Sequence, residues 1–285
     1  MLFDVLLDAL LDTVRLLPFL FLTYLLMEYL EHKTGQKSAR MMGRAGKLGP
    51  LLGAAAGAVP QCGFSAAAAS LFSGGVITLG TLLSIFLSTS DEMLPILISE
   101  AVAIPVILKI LAAKAAIGAA TGFIVDLLIR RKPDQHGHHK DIHDLCEHEH
   151  CHCEDGILKS ALRHTIQIML FILVISFFIG LAIEAAGEEA LAGFLTGQPV
   201  FGVFLAGIIG LIPNCASSVV ITELYLQGIL GAGQMMAGLL VGAGVGILVL
   251  FRTNRSLKEN LKVTAALYAA GVAWGLLIEL TGVVF

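Results

Sequence analysis

Two short stretches of sequence, VPQCGFS at 59–65 and IPNCASS at 212–218, decide how this chain folds. They lie 153 positions apart, and the same offset aligns much of the two halves without a gap. It pairs Glu31 with Glu184, Gly75 with Gly228, Gly80 with Gly233, Gly122 with Gly275, and Asp126 with Glu279. Two similar halves, each with a proline-broken apolar segment, predict a membrane transport site at the interface of the halves.

Composition places the chain in the class of all-α integral membrane proteins. It is 56% hydrophobic and only 14% charged, which is far from the balance of a soluble domain. A helix needs about 20 apolar residues to cross a bilayer core of about 30 Å. Runs of that kind occur at 5–31, 76–98, 103–129, 160–186, 229–251 and 260–284. The net charge of −4 offers no basic surface, so we expect no nucleic-acid partner.

The basic residues predict that the two halves are inserted in opposite directions. Lys and Arg cluster at 33–47, 130–163 and 252–262, and the positive-inside rule places all three clusters in the cytoplasm. The loops equivalent to two of them, 186–200 and 99–108, contain no Lys or Arg. Equivalent loops therefore face opposite sides of the membrane. The acidic N-terminus also lacks the basic start of a cleaved signal peptide.

This orientation divides the chain into three parts, which are a first membrane repeat at 1–132, a cytoplasmic His/Cys-rich loop at 133–156, and a second, inverted repeat at 157–285. Inversion requires an odd number of crossings in each half. Pro60 splits 48–73 into two arms that are each too short to span. We therefore predict a re-entrant hairpin with arms 48–59 and 61–73.

The second half has an equivalent hairpin with arms 201–212 and 214–226. Counting every arm, the fold has about ten transmembrane elements. Kinked helices that span fully remain the alternative.

The hairpin tips carry polar groups that are suited to holding a small substrate at mid-membrane. The candidate substrate-binding residues at the tips are Gln61, Cys62, Ser65, Asn214, Cys215, Ser217 and Ser218. One cysteine on each tip could supply two soft sulfur ligands. The alternative is that both cysteines are small residues that permit close packing.

Acidic residues inside apolar segments are further candidates for the site. Asp91 and Glu92 are adjacent in the run 76–98, and Glu223 lies in the second arm of the second hairpin. Intramembrane carboxylates are costly and commonly functional, so these three could bind a cation or carry a proton. A position near the membrane surface is the alternative for Asp91 and Glu92.

The central loop is rich in metal ligands. Its candidate ligands are His136, His138, His139, His143, Cys146, His148, His150, Cys151, His152 and Cys153. Imidazole and thiolate suit Zn, Ni, Co or Cu better than Mn. No spacing defines one closed tetrahedral site, which indicates a metal-loading segment. The H-E-x-x-H match at 148–152 follows from composition, because no apolar helix pattern surrounds it.

The chain resembles, over nearly its full length, a family of bacterial and archaeal membrane proteins described as ten-span heavy-metal exporters. Members are often labelled manganese transporters and are distantly similar to organoarsenical efflux permeases. The resemblance is carried by LLPFLFLTYLLMEYLEHK at 16–33, the two Pro-x-Cys stretches, STSDE at 88–92 and the His-rich loop. It implies ten transmembrane elements and a heavy-metal substrate.

We therefore expect a transporter and no enzyme. It would export a divalent metal such as Mn or Zn, or an arsenic-type species, and use a proton gradient because the chain has no nucleotide-binding motif. Two alternatives stay open, a permease for a small organic solute or organoarsenical, and a membrane metal sensor or intramembrane metalloenzyme.

We expect a multi-pass protein of the prokaryotic inner (plasma) membrane, with the lipid bilayer and the transported ion as its partners. A homo-oligomer is compatible with the sequence. No cofactor is obligatory, although a divalent metal could bind the loop.

Overall fold

The computed structural model describes residues 48–59, 62–90, 93–130, 157–186 and 199–285, together with scattered helical positions between 7 and 25. All regular elements in these ranges are helices. They are α1 (Gly49–Gly57), α2 (Cys62–Ser73), α3 (Leu79–Ser88), α4 (Met93–Ser99), α5 (Ile104–Arg130), α6 (Ile157–Ala186), α7 (Pro199–Gly210), α8 (Cys215–Leu226), α9 (Ala232–Val241), α10 (Val245–Thr253) and α11 (Leu257–Thr281).

The helix bounds follow the offset of 153 that the sequence contains. Helices α8, α9 and α11 begin at Cys215, Ala232 and Leu257, each 153 residues after the start of α2, α3 and α5. The expected arms of both hairpins are present as separate helices, which are interrupted between Gly57 and Cys62 and between Gly210 and Cys215. The local signals for starting and ending helices are therefore shared by the two halves.

The first pair of short helices runs antiparallel. A methyl group added at Gly49 would touch the side chain of Thr81, and one added at Gly57 would touch Ser88 and the Ile85 carbonyl. The residue numbers rise along both helices from the first contacting pair to the second, so α1 runs parallel to α3. Helix α2 is joined to α3 by the turn 74–78 and must run in the opposite direction. The chain therefore reverses between α1 and α2.

The turn after α2 requires glycine and recurs after α8. Gly75 has φ of 70°, a left-handed conformation, and its N–H donates to the carbonyl of Phe72 at 3.0 Å. Gly228 has φ of 73° and donates to Tyr225 at 3.0 Å. Equivalent residues therefore return the chain into α3 and α9.

Two of the expected spans are interrupted, which the sequence analysis did not predict. The run 76–98 is split because α3 ends at Ser88 and α4 begins at Met93. The run 229–251 is split because α9 ends at Val241 and α10 begins at Val245. In the second break Gly244 has φ of 51° and ψ of −137°, a conformation nearly restricted to glycine.

Four candidate membrane spans lie among the described residues, namely Leu79–Ser99, Ile104–Ile129, Ala232–Thr253 and Leu257–Thr281. The two interrupted spans are mostly buried, whereas α5 and α11 expose large apolar side chains such as Ile104, Leu108 and Leu261. An apolar exterior around a buried centre is expected of an α-helical membrane protein.

Candidate functional site

The tip of the first hairpin lies beside the break between α3 and α4. Gly57, the last residue of α1, packs against Ser88, the last residue of α3. The Ser90 hydroxyl donates to the carbonyl of Ala58 at 3.0 Å. Since α1 and α3 start at the same level, about 14 Å of helix brings both to this point. This distance is about half the thickness of a bilayer core.

Buried hydroxyls line this meeting point and bond to the backbone. Ser84 donates to the carbonyl of Pro50 at 2.5 Å, and Ser88 donates to that of Ser84 at 2.6 Å. The Thr89 hydroxyl donates to the Ile85 carbonyl at 2.8 Å. The Thr89 hydroxyl satisfies a carbonyl that the end of α3 leaves without an intrahelical partner, whereas Ser84 and Ser88 bond to carbonyls inside helices. An irregular backbone can therefore exist in an apolar interior.

The second half repeats the juxtaposition with different chemistry. Gly210, at the end of α7, lies against the Gly238 carbonyl of α9. At the following tip the Ser217 hydroxyl donates to the Asn214 carbonyl at 2.9 Å. The break in α9–α10 has the sequence Gly-Ala-Gly and carries no hydroxyl side chain. The polar lining of the two halves is therefore not symmetric.

The two halves contact each other at these breaks. A methyl group at Gly246, at the start of α10, would lie 2.8 Å from Cβ of Ser65 on α2. Further along, the hydroxyls of Ser73 and Thr253 are 2.7 Å apart. Helix α2 therefore runs parallel to α10, and the first hairpin packs on the interrupted helix of the other half.

Lys114 is a buried charge in the middle of this interface. It lies on α5, is 1% exposed, and its ammonium donates to the carbonyl of Leu239 on α9 at 2.7 Å. In an uninterrupted helix the Ala243 N–H would bond to that carbonyl, but it bonds to Val241 at 2.8 Å instead. Lys114 thus provides a donor for a carbonyl whose regular partner the break has removed.

The position of Lys114 connects both breaks. One helical turn further along α5, a methyl at Gly118 would lie 3.3 Å from Cβ of Ser88 at the end of α3. Lys114 itself reaches Leu239, near the end of α9. A positive charge therefore lies between the ends of the two interrupted helices.

Two equivalent carboxylates hold the starts of the interrupted helices. Asp126 accepts from the Gly80 N–H at 2.9 Å and from the Thr78 hydroxyl at 2.7 Å. Glu279 accepts from the Gly233 N–H at 3.0 Å. A carboxylate near a helix N-terminus satisfies an orphan donor and interacts favourably with the helix dipole. These contacts anchor α3 on α5 and α9 on α11.

The structure distributes the predicted tip residues unevenly. Ser65, Ser217 and Ser218 are buried, and Asn214 is half-buried. Glu223 is exposed on α8. The buried serines lie near the starts of α2 and α8, whereas the exposed Glu223 lies about one and a half turns further along α8.

Several predicted residues lie outside the described part of the chain. These are Gln61, Asp91, Glu92 and the ten candidate ligands of the loop from His136 to Cys153. Cys62 and Cys215 begin α2 and α8, but their side chains are not described either. Within the described ranges, no group of three or more His, Cys, Asp or Glu side chains could hold a metal ion.

Sequence reasoning missed Lys114 and the interruption of the two central spans. A lysine inside the apolar run 103–129 was a usable signal, because such a charge is rare without a buried partner. The glycines at 242 and 244 were a second signal. Neither signal is repeated in the other half, because the residues 153 positions away are not a lysine or a glycine.

Comparison with known proteins found no matching family model, no matching curated protein and no matching solved structure.

Proposed function

We propose that this protein is a secondary transporter that exports a metal or metalloid ion through a site between its two halves. One observation carries the proposal: in each half a hairpin tip lies against the interrupted part of a central helix. Discontinuous helices at mid-membrane supply helix ends and free backbone groups that hold ions and small polar substrates. A purely structural membrane protein has no evident need for two such breaks.

Inverted insertion of the halves is supported by helix directions. Helix α2 runs antiparallel to α3 but parallel to α10. Helices α9 and α10 together form one candidate span of 22 residues, Ala232–Thr253, which supports a single direction through their break. Helix α10 then continues α9, so α3 and α9 point in opposite directions. The hydrogen bond of 3.0 Å from Trp274 to Thr121 joins two positions that differ by the repeat offset.

Helix lengths support re-entrant hairpins. The arms α1 and α2 contain 9 and 12 residues. At 1.5 Å per residue these are about 14 and 18 Å long, well short of the bilayer core. Two antiparallel arms of this length enter from one side and return to it. With both hairpins counted, the fold has about ten transmembrane elements in the inner membrane, and the His/Cys-rich loop lies in the cytoplasm.

A soft metal or metalloid is the substrate that the sequence favours. Cys62 and Cys215 are the first residues of α2 and α8, so each sulfur belongs to a hairpin tip. Thiolate ligands select soft ions over Mg or Ca. The His/Cys-rich loop would load the same ions from the cytoplasm. Asp91, Glu92 or Glu223 would carry the coupled proton.

A small organic anion is the second candidate substrate. The observation in its favour is the buried ammonium of Lys114 between the ends of α3 and α9. A fixed positive charge attracts an anion and repels a bare cation.

Flux measurements on the full chain in proteoliposomes distinguish the two candidate substrates. We expect uptake of Zn²⁺, Mn²⁺ or arsenite into inside-out vesicles under a proton gradient, and loss of uptake in Cys62→Ser and in Cys215→Ser. The control is Ser99→Cys, which adds a thiol at an exposed position. Uptake of an organic anion that persists without either tip cysteine would favour the second candidate.

Deletion of 134–155 provides a further test against the sensor and enzyme alternatives. A transporter should keep its flux and change only its apparent affinity, because the loop delivers ions to a site elsewhere. Complete loss of metal-dependent activity in a deletion variant that is still folded would support the alternative in which the loop is the active part.

A further inference from the structure

The contact between Lys114 and Leu239 differs from an ordinary buried polar interaction. A lysine in a membrane-spanning helix is costly, and it is commonly near a helix end where it can reach water. Lys114 is 1% exposed and lies in the eleventh position of a helix of 27 residues. Its long side chain is directed inward, to a carbonyl of the opposite half.

The carbonyl it contacts is a recognised type of cation ligand. The C-terminal end of a helix carries a partial negative charge, and unwound carbonyls at half-helix ends bind Na⁺ or H⁺ in membrane transporters. Leu239 is third from the end of α9, and the break has diverted the N–H that would normally bond to it. The ammonium nitrogen therefore lies beside a helix-end carbonyl, a position at which a cation is favoured.

We propose that Lys114 is a tethered cation that fills the cation position at the C-terminal end of α9. This break then holds no exchangeable alkali ion. The consequence for transport, that flux needs no Na⁺ gradient at this position, rests on the proposed function. The binding claim itself does not.

The contact between Lys114 and Leu239 has no counterpart at the positions related by the offset of 153. The counterpart of Lys114 is Leu267, which is fully buried and apolar. The counterpart of Leu239 is Phe86, whose carbonyl accepts the Thr89 N–H at 3.3 Å. One helix end is therefore satisfied by its own backbone and the other by a lysine. The proposal therefore leaves the first break, next to Asp91 and Glu92 in the sequence, as the break open to an exchangeable cation.

Two substitutions of the same lysine test the proposal without transport. Lys114→Ala removes the charge and leaves space, whereas Lys114→Met removes the charge and fills most of the space. The purified full chain in nanodiscs is unfolded thermally while NaCl or LiCl replaces choline chloride at constant ionic strength. Leu267→Ala is the matched control, because it opens an apolar cavity at the equivalent buried position.

We expect Na⁺ or Li⁺ to raise the Tm of Lys114→Ala saturably, by roughly 5–10 °C near saturation. The wild type, Lys114→Met and Leu267→Ala should show no difference between the alkali salts and choline. If Lys114→Ala does not fold, Lys114→Ser is used, since its hydroxyl can bond within α5.

Two outcomes would overturn the proposal. One is an absence of alkali-ion stabilisation in both the Ala and the Ser variant. The other is equal stabilisation in all four proteins, which would place the cation elsewhere. If alkali ions stabilise Lys114→Ala but the wild type transports no substrate, the tethered-cation proposal stands and the proposed transport function is rejected. Flux that depends on a Na⁺ gradient in the wild type would reject the transport consequence alone.

Discussion

At the scale of single residues, the interior is held by polar side chains that complete interrupted backbone hydrogen bonding. Hydroxyls satisfy the end of α3, an ammonium satisfies the end of α9, and carboxylates satisfy the starts of both. Each contact compensates a cost that lipid would otherwise impose on an irregular backbone. The charged residues among them are the ones with the clearest consequences when changed.

The carboxylate caps give the first prediction. Asp126→Ala should lower the free energy of unfolding by about 1–2 kcal/mol, because the Gly80 N–H and the Thr78 hydroxyl both lose their acceptor. Asp126→Asn keeps one acceptor oxygen and should cost less. Chemical unfolding in mixed micelles measures both. Equal stability of Asp126→Ala and the wild type would mean that water replaces the cap.

The second prediction concerns Asp91 and Glu92. At the centre of a bilayer a charge costs about 2.5–3.5 kcal/mol, so we expect carboxylates placed there to need a bound cation or a proton. Asp91→Asn and Glu92→Gln should therefore each abolish pH-dependent flux. Their Tm should be unchanged or higher, because each substitution removes one negative charge.

Flux against external pH, together with the Tm of the same preparations, checks this prediction. Glu100→Gln, which neutralises an exposed carboxylate just after α4, is the comparison. Normal pH dependence in both acid variants would show that Asp91 and Glu92 lie at the membrane surface and carry no coupled proton.

At the scale of elements, the interrupted helices depend on particular backbone conformations. Gly244 has φ of 51° and ψ of −137°, whereas Gly242, two residues earlier, has φ of −65°. Gly242 follows the end of α9 and Gly244 precedes the start of α10, but only Gly244 adopts a conformation that other residues avoid. The two glycines are therefore a matched pair within one break.

We predict that Gly244→Ala destabilises the protein by roughly 1–3 kcal/mol through backbone strain. Gly242→Ala should be tolerated better, because an added methyl would lie 3.3 Å from the nearest atom, the Gly238 carbonyl oxygen. Thermal unfolding of the two variants in the same detergent makes the comparison. A larger loss in Gly242→Ala would show that packing at the break outweighs its backbone conformation.

At the scale of the whole molecule, the two halves share helix bounds, turns and caps but differ at their centre. The anchoring helices α5 and α11 hold α3 and α9 through equivalent contacts. The two breaks are lined differently, with serine and threonine in one and glycine and alanine in the other. A symmetric scaffold therefore surrounds an asymmetric site.

The proposed inversion of the halves leads to a prediction about sidedness. Ala103 and Ser256 are exposed, equivalent positions that immediately precede α5 and α11. In Ala103→Cys a membrane-impermeant thiol reagent should label from the outside, and in Ser256→Cys from the cytoplasmic side. Right-side-out and inside-out vesicles test this, with Cys146, Cys151 and Cys153 replaced by serine in both variants and in the labelling blank. Labelling of both from one side would mean that the halves are parallel.

The predictions from sequence were most accurate where the signal is local. The hairpin arms expected at 48–59 and 61–73 appear as Gly49–Gly57 and Cys62–Ser73, because a proline ends a helix wherever the chain places it. The site was predicted less well. Of the candidate residues, the serines at 65, 217 and 218 are buried and Glu223 is exposed, and the part played by Lys114 was not foreseen.

The sequence by itself determined the class of the protein, the offset that relates its halves, and the points where the short helices begin and end. These depend on hydrophobic length and on proline and glycine, which act within a few residues. Only the tertiary structure decided that the central spans are interrupted, that each break lies beside a hairpin tip, and that Lys114 reaches Leu239. A broken helix persists only where distant residues satisfy its freed backbone groups, and the pairing of residues 125 positions apart is a property of packing that no local pattern contains.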